Sequence, residues 1–498
     1  MIRPRQCSPR SPRQLWGLGL VLGLLTGTTS PAEAATELQG YYESNFTGNR
    51  ADETWQVDRP RHFFELRLLS APWAGTEAFI KTFAESNRFA NRDDVSRHEP
   101  RLFFAEAHVK LRSDHTELLF TSKQNRFWFS QPLLQVIDGN KLGGSRAIRL
   151  DFWDAYGFQG LAYYGDQTTT DFGNDADDFV VTRITRPSLD RRVRFGATFG
   201  RLDFGSSTSE YDMTAAADVE LALGELIPGV DRLGRTTLVV EAGRNLSGGL
   251  GDGEDLNAVE GELRDVRIQN LTLKFNGWYR ERNAFTGRLS SRGGFDDRKG
   301  TFLEAYYRLP RKQLDLRYTY LYERGIEERF FGGTGNDLFS QDAHALELYA
   351  ELKGGFSAWV KYRHDENNAR TEFQDRDDIV FELQGQNKLI SVRPQVRFRD
   401  IGLPFGVQGY GMEINFNATD NWKFFSRFLN AEENTESRRT IFVSAQYRGF
   451  QDAEFFVEYG DGGRSDRLTE NDGFISEGPS AVDQDSERRV QIIFKYWF

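Results

Sequence analysis

Apolar and polar residues alternate along most of this chain, in segments of about nine to eleven residues. In "LDLRYTYLYE", which begins at Leu314, every second residue through Tyr322 is apolar or aromatic, and Asp315, Arg317 and Thr319 fill positions between them. Alternate side chains of a β-strand point to opposite faces, so this period predicts strands with one apolar face and one polar face. No stretch sustains helical spacing, and the chain is therefore predicted to be all-β.

The length of the alternating segments distinguishes two kinds of all-β protein. Strands of globular proteins average about 5–6 residues, whereas a strand that crosses a bilayer at a barrel's tilt needs about 9–11. The longer segments fit the second kind, and the same texture continues from Leu38 to Phe498 without a linker. We therefore expect a single large, closed, antiparallel up-and-down transmembrane β-barrel.

The N-terminal segment has the features of a secretory signal peptide. A basic stretch is followed by a short apolar run, Leu15–Leu25, and by the small-residue site Ala32–Ala34. The run is shorter than the roughly 20 residues that a spanning helix needs. We expect a leader over 1–34 and a barrel over 35–498. Cys7, the only cysteine, lies in this leader, so no disulfide is expected in the mature chain.

Charge and motif content argue against several classes of function. Without the leader the chain has 59 basic residues (63 less four) and 73 acidic residues (74 less one), a net charge of −14 that does not suit a nucleic-acid partner. The six histidines are scattered and form no recognised metal or nucleophile motif, so we expect no enzyme activity, no cofactor and no metal. His98 and His364, near predicted loop bases, leave a barrel enzyme as an alternative.

The connections fall into two classes that alternate along the chain. Counting back from the C-terminus, long acidic connections such as Asp461–Glu487 alternate with short ones such as Gly354–Gly355, as in a barrel whose two ends face different compartments. If the short connections lie in the periplasm, both termini also lie there, and the number of strands must be even. We predict about 24 strands (range 18–24), including weak ones at Asn257–Leu263 and Asp378–Gln384. The long connection Gly224–Arg235 is an exception, because a short one is due there.

The chain ends on an apolar alternation closed by an aromatic residue, which predicts a last strand that seals the barrel against the first one. The apolar positions are Val490, Ile492, Phe494, Tyr496 and Phe498. This end resembles the recognition signal of bacterial outer-membrane β-barrel proteins, which has a terminal aromatic residue preceded by alternating apolar positions. The resemblance implies insertion by the outer-membrane barrel assembly machinery and an apolar face in contact with outer-membrane lipid.

A second resemblance concerns the segment Glu117–Phe152, which looks like the strand–loop–strand of alginate-export-like porins. There a strand ending in Gly-Arg-Gln or Gly-Lys-Gln runs into a loop and then into an arginine-containing strand; here Ser122-Lys123-Gln124 stands in place of that motif. The loop within it, Asn125–Gly144, is the most apolar of the long connections. Because so apolar a loop is unfavourable in open water, we expect it to fold inward or to pack at a subunit contact.

Charged residues alternate with the apolar set, so they are predicted to face the barrel interior. The predicted pore-lining residues are Arg317, Lys361, Arg363, Arg393, Arg397, Arg399 and Glu413. A basic side chain facing lipid at mid-bilayer is unfavourable by roughly 2–4 kcal/mol. Two interpretations remain open: these charges only satisfy one another as ion pairs, or their basic excess makes an anion-preferring path.

These patterns predict an outer-membrane, porin-like channel for passive passage of small hydrophilic or anionic solutes, including oligosaccharides. The alternatives are a closed structural or adhesion barrel without a through-pore and, third, a barrel enzyme. The sequence leaves the substrate, the oligomeric state and an open or plugged pore undecided.

Overall fold

The computed structural model describes the strands and most of the connections at one end of the molecule. The residues it describes are 35–51, 54–57, 61–85, 101–122, 131–137, 146–167, 177–188, 190–203, 211–246, 256–281, 298–309, 313–326, 340–367, 375–399, 401, 406–433, 436–460 and 489–498. The predicted leader, 1–34, lies outside these residues, as do most of the long connections.

Nearly all of the described residues lie in β-strands. The strands are β1 (Ala35–Ala51), β2 (Thr54–Val57), β3 (Arg61–Ala71), β4 (Thr76–Glu85), β5 (Arg101–Arg112), β6 (Thr116–Ser122), β7 (Arg146–Ala155), β8 (Phe158–Gln167), β9 (Asp177–Ser188), β10 (Val193–Asp203), β11 (Tyr211–Ala222), β12 (Thr237–Asn245), β13 (Leu256–Ile268), β14 (Leu271–Arg280), β15 (Arg298–Arg308), β16 (Leu314–Gly325), β17 (Ser340–Leu352), β18 (Phe356–Asn367), β19 (Asp375–Gln386), β20 (Ile390–Arg399), β21 (Val407–Asn417), β22 (Trp422–Glu433), β23 (Glu436–Phe450), β24 (Ala453–Tyr459) and β25 (Arg489–Trp497).

The strands form one closed antiparallel barrel. β1 pairs with β3, each later strand pairs with the next along the chain, and β25 returns to pair with β1. The short β2 pairs only with the end of β1, so 24 of the 25 strands make the wall. The predicted fold class and even strand number are confirmed. The two segments with weak patterns are full strands, β13 and β19.

The short connections gather at the end of the barrel that holds both Ala35 and Phe498. The turn at Gly354–Gly355 has φ of 82° and 81°, a region that glycine enters without strain. The connection after β11 is long at this end, as expected, and holds a helix, Leu223–Leu226, and a 3₁₀ turn, Val230–Leu233. Within the described ranges, no helix has the length and apolarity needed to span a membrane.

The two faces of the wall differ in chemistry. In β23, Ile441 and Val443 are exposed, whereas Ser444 is buried and donates to Glu458 of β24 at 3.1 Å. The same division recurs around the wall, with large apolar side chains on the outer face and ion pairs on the inner face. A contiguous apolar surface of this extent is typical of a site that lipid or protein covers.

The barrel closes at a seam, which we define as the pairing of β25 with β1. Phe498 donates its N–H to the carbonyl of Gly40 at 3.1 Å and accepts from the Gly40 N–H at 2.7 Å. Its ring lies over Gly40, where a Cβ atom would overlap it, and stacks against Phe64 and Tyr496 at 6.0 and 5.8 Å between centroids. On the inner side Lys495 pairs with Glu43 at 3.7 Å. The prediction that the terminal strand closes the barrel is confirmed.

Candidate functional site

The inner face of β18–β22 is lined with ion pairs. The Arg393 guanidinium contacts Glu382 through Nε at 2.7 Å and Glu413 through Nη1 at 3.6 Å. Arg427 donates from Nε to Glu413 at 2.8 Å, so the buried Glu413 carboxylate joins two arginines. The ion pairs therefore link side chains across three strand pairs, and this part of the wall is a connected charged surface.

Beside these ion pairs, β18–β20 enclose a recess of about 240 Å³, which we call the basic recess. Its lining residues are Lys361, Arg363, Arg376, Asp378, Val380, Arg397 and Arg399. Asp378 contacts Arg376 at 3.1 Å and Arg397 at 3.6 Å. Asp365 contacts Arg363 at 3.0 Å, and Glu347 contacts Lys361 at 3.6 Å. Among the described lining residues, five side chains are cationic and one, Asp378, is acidic, so basic groups predominate on this surface.

The structure places six of the seven predicted pore-lining residues in or beside the basic recess. The basic recess is lined by four of them, Lys361, Arg363, Arg397 and Arg399. Arg393 and Glu413 belong to the ion pairs beside it. Arg317 lies further along the wall, where it contacts Glu304 at 2.7 Å and Glu347 at 3.9 Å. Since Glu347 also contacts Lys361, Arg317 is linked to the recess through one carboxylate.

A second inner site is built by part of the long apolar connection, Gln131–Ile137, which we call the inner segment. Leu134, Val136 and Ile137 are 0%, 1% and 2% exposed. They pack with inward-facing apolar residues of the wall: Ala147, Tyr163, Phe179, Val181, Leu202, Ala216 and Ala258. Of the two expected placements, the described part takes the inward one.

The side chain of Glu241, on β12, binds backbone N–H groups of the inner segment. Its Oε2 accepts from the N–H groups of Leu133 and Leu134 at 2.8 and 2.7 Å. The side chain is 0% exposed, and Oε1 has no hydrogen-bond partner in the described part of the chain. Glu241 forms no ion pair with a described residue, although Arg183 and Arg280 nearby pair with Asp218 and Glu260. The peptide N–H groups of the segment are thus the partners of this carboxylate.

Small residues make room for the segment on the wall. A Cβ atom at Gly243 would approach Leu134 Cδ1 to 3.0 Å and Val136 Cγ1 to 3.3 Å. Gln131 ties the segment to itself, since its side-chain amide bonds both the N–H and the carbonyl of Ile137. The inner segment is therefore an internally bonded unit seated on a glycine of the wall.

The sequence alone does not reveal the role of Glu241. A signal was present: inward positions of β9–β13 hold Phe179, Val181 and Ala216, where other strands place charges. An apolar inner face needs an apolar cover, and part of the most apolar long connection supplies it.

Comparisons with known proteins show the fold. No family model matches this chain, and no curated protein is significantly similar to it. One chain of the E. coli P pilus tip assembly intermediate PapC-PapD-PapK-PapG is similar in structure, with a TM-score of 0.57 and 9% identity. The match covers 95% of this chain, which spans 62% of the length of that one.

Two further solved structures are also similar. The siderophore receptor PirA from Pseudomonas aeruginosa has a TM-score of 0.49 at 9% identity, covering 95% of this chain and 82% of that one. The P pilus usher (PapC) translocation pore has a TM-score of 0.44 at 10% identity, covering 93% and 99%. With the closed wall described above, the predicted resemblance to bacterial outer-membrane β-barrel proteins is confirmed at the level of the fold.

Proposed function

We propose that this protein is a bacterial outer-membrane channel for passive passage of small hydrophilic solutes, with a preference for anions. The observation that carries the proposal is the basic recess on the inner face of a closed barrel, whose described lining holds five cationic side chains and one acidic one. The proposal assigns the barrel no catalytic activity.

The membrane location is supported by the outer face. Exposed apolar side chains recur at alternate positions around the wall, and the strands of the wall are mostly 10–13 residues long, enough to cross the hydrocarbon layer. Export is supported by the predicted leader, and insertion by the terminal apolar alternation of β25. The resemblance to alginate-export-like porins fits the same class and leaves the solute unnamed.

Passage is supported by the size of the barrel. Barrels of 16–18 strands leave an aqueous channel, whereas 22-stranded barrels hold a plug in a lumen of similar or larger width. This wall has 24 strands, so its lumen is wide enough for a channel. The inner segment covers the wall from β7 to β13, while the basic recess lies on β18–β20, away from it. A solute that crosses the lumen would therefore meet a basic surface on one side, and fixed cations at a constriction favour anions.

Selectivity can be tested with the arginines of β20. The combined change Arg393→Glu, Arg397→Glu and Arg399→Glu replaces three inward cations by anions and should move the reversal potential in a salt gradient toward cation preference. Arg308→Glu is the matched control, because Arg308 pairs with Asp315 at 3.0 Å outside the recess. A wild-type channel that prefers cations, or a reversal potential that the triple change leaves unmoved, would contradict anion selectivity.

Orientation can be tested by labelling. The proposal places the short connections and both termini in the periplasm, so a cysteine at Gly354 should resist an impermeant maleimide on intact cells. A cysteine at Thr469, in a long connection outside the described residues, should react. The reverse pattern would invert the topology.

A closed or structural barrel is the second candidate, and the inner segment is the observation that favours it. Conductance of the refolded protein in planar bilayers separates the two candidates, since a scaffold would give no channel events.

A further inference from the structure

A row of aromatic rings crosses the inner face of the seam. Trp497 contacts Tyr41 with 5.5 Å between ring centroids, Tyr41 contacts Phe63 at 6.0 Å, and Phe63 stacks on Phe83 at 5.8 Å. The four rings come from β25, β1, β3 and β4, and we call them the aromatic row. They share a face with Glu65 and Lys81, whose pairing at 2.9 Å belongs to the inner wall.

Three rings of the aromatic row, those of Tyr41, Phe63 and Trp497, line a cavity of about 550 Å³ at the short-turn end of the barrel. Its lining residues are Gln39, Gly40, Tyr41, Phe63, Glu65, Arg67, Asp452, Trp497 and Phe498. The volume lies within the roughly 300–1,000 Å³ that is usual for small-molecule sites. Trp497 is 39% exposed, so an aromatic surface is available to a ligand in the cavity.

The polar groups around the rings are held in place and nearly balanced in charge. Glu65 accepts from Arg67 at 2.6 Å and from Lys81, and Tyr41 donates its hydroxyl to Glu43. Unlike the basic recess, this cavity therefore has no excess of positive charge to attract an anion. It offers fixed carboxylate, guanidinium and amide groups next to apolar ring faces.

That combination fits one chemical class. A hexose ring has C–H groups on its faces, which pack on aromatic rings, and hydroxyls on its rim, which bond to carboxylate, guanidinium and amide groups. Pockets that bind such ligands pair aromatic surface with a few placed polar groups. A row of contacting rings, rather than a single ring, suits a ligand with several rings in sequence.

We propose that the cavity at the seam is a binding site for the hexose units of a neutral oligosaccharide. Tyr41, Phe63 and Trp497 would stack on the sugar rings, and Gln39, Arg67 and Asp452 would bond the hydroxyls. The assignment rests on the proposed function for the route by which a sugar reaches the cavity. Binding itself is independent of ion selectivity.

Calorimetric titration of the refolded full-length mature protein in detergent tests the site whether or not the barrel conducts. Maltohexaose and cellohexaose are the probes, and sorbitol, which has hydroxyls but no ring, is the matched ligand control. At least one hexaose should bind saturably and sorbitol should not. Phe63→Leu, which keeps apolar volume without a ring, should weaken binding about tenfold.

Phe79→Leu is the matched protein control, because Phe79 faces the same interior, stacks on His108 at 5.1 Å and does not line the cavity. Heat-modifiable migration identifies variants that fold, and Tyr41→Leu replaces Phe63→Leu if the latter does not. Absence of binding by both hexaoses, binding of sorbitol equal to theirs, or equal loss in Phe79→Leu and Phe63→Leu would overturn the site. Anion selectivity would stand in each of these cases, so the two proposals fail separately.

Discussion

The seam and the inner segment are two attachments within the same barrel, and they are built differently. Each seats a large side chain over a glycine, Phe498 over Gly40 and Leu134 over Gly243. The seam, however, is a ladder of nine residue pairs between β1 and β25. The inner segment is held by apolar contacts and by two hydrogen bonds to Glu241. The seam is thus held by secondary structure, and the inner segment is held by side chains.

The seam and the inner segment have different surroundings, so separating each from its partner strand or wall has a different free-energy cost. Opening the seam would expose unpaired backbone groups toward lipid, where each unsatisfied group is unfavourable by several kcal/mol. The inner segment faces a lumen in which water can satisfy the N–H groups of Leu133 and Leu134 on release. We therefore expect mutation to release the inner segment from the wall more readily than it opens the seam.

The largest expected effect is at the seam. Deleting Phe498, or changing Gly40→Leu, removes or displaces the terminal ring and its backbone pair, so membrane insertion should fall sharply while export continues. Gly48→Leu is the matched control on the same strand, since a Cβ atom there meets its nearest neighbour at 3.7 Å. Heat-modifiable, membrane-inserted protein measures the outcome, and leader cleavage measures export. Normal insertion of the deletion variant would mean that the terminal residue does not direct assembly.

A smaller effect is expected at the inner segment. Glu241→Ala leaves two buried N–H groups without an acceptor, which is unfavourable by about 1–3 kcal/mol each. The segment should leave the wall, so single-channel conductance should rise and a Val136→Cys probe should react faster with a water-soluble maleimide. Glu241→Gln keeps an acceptor oxygen and should stay close to the wild type.

Glu458→Ala is the control for that experiment, because Glu458 is a buried inner acid that bonds Ser444, far from the segment. If the Glu458 variant raises Val136→Cys labelling as much as Glu241→Ala does, the effect is general loosening of the barrel and not release of the inner segment from Glu241.

The sequence predicts the wall better than what lies inside it. Alternation of residues determines strand phase, so it predicts the outer apolar face and the terminal closure, even at the weak strands β13 and β19. The alternation of long and short connections predicts the even strand number. Alternation of residues does not foretell β2, whose pattern is too short, or the helix at Leu223–Leu226, which replaces a short turn. Those elements depend on local packing at the barrel ends rather than on period.

The alternating pattern does not predict which inward-facing side chains contact one another. Alternation places Arg393 and Glu413 on one face, but their contact depends on register, which sets Arg393 directly opposite Glu413. The inner segment needs even more: Glu241 lies more than 100 residues from Leu133 and Leu134 in the sequence. A residue's face follows from local period, whereas its partner follows from the closed barrel.

The smallest expected effect separates packing from hydrogen bonding within the inner segment. Gly243→Ala would put a methyl group 3.0 Å from Leu134 Cδ1, the end of a side chain that can shift by a few tenths of an ångström. The change also removes the backbone freedom of glycine from the unfolded chain, which stabilises by about 0.4–1 kcal/mol where the conformation allows alanine. Barrel stability should therefore change little, while Val136→Cys labelling rises a few-fold, less than in Glu241→Ala. Gly261→Ala is the control, since Gly261 lies on the outer face of β13 and its Cβ would meet nothing closer than 3.9 Å. Equal labelling in the two alanine variants would show that contact with the glycine does not hold the segment, and would leave Glu241 as its main attachment to the wall.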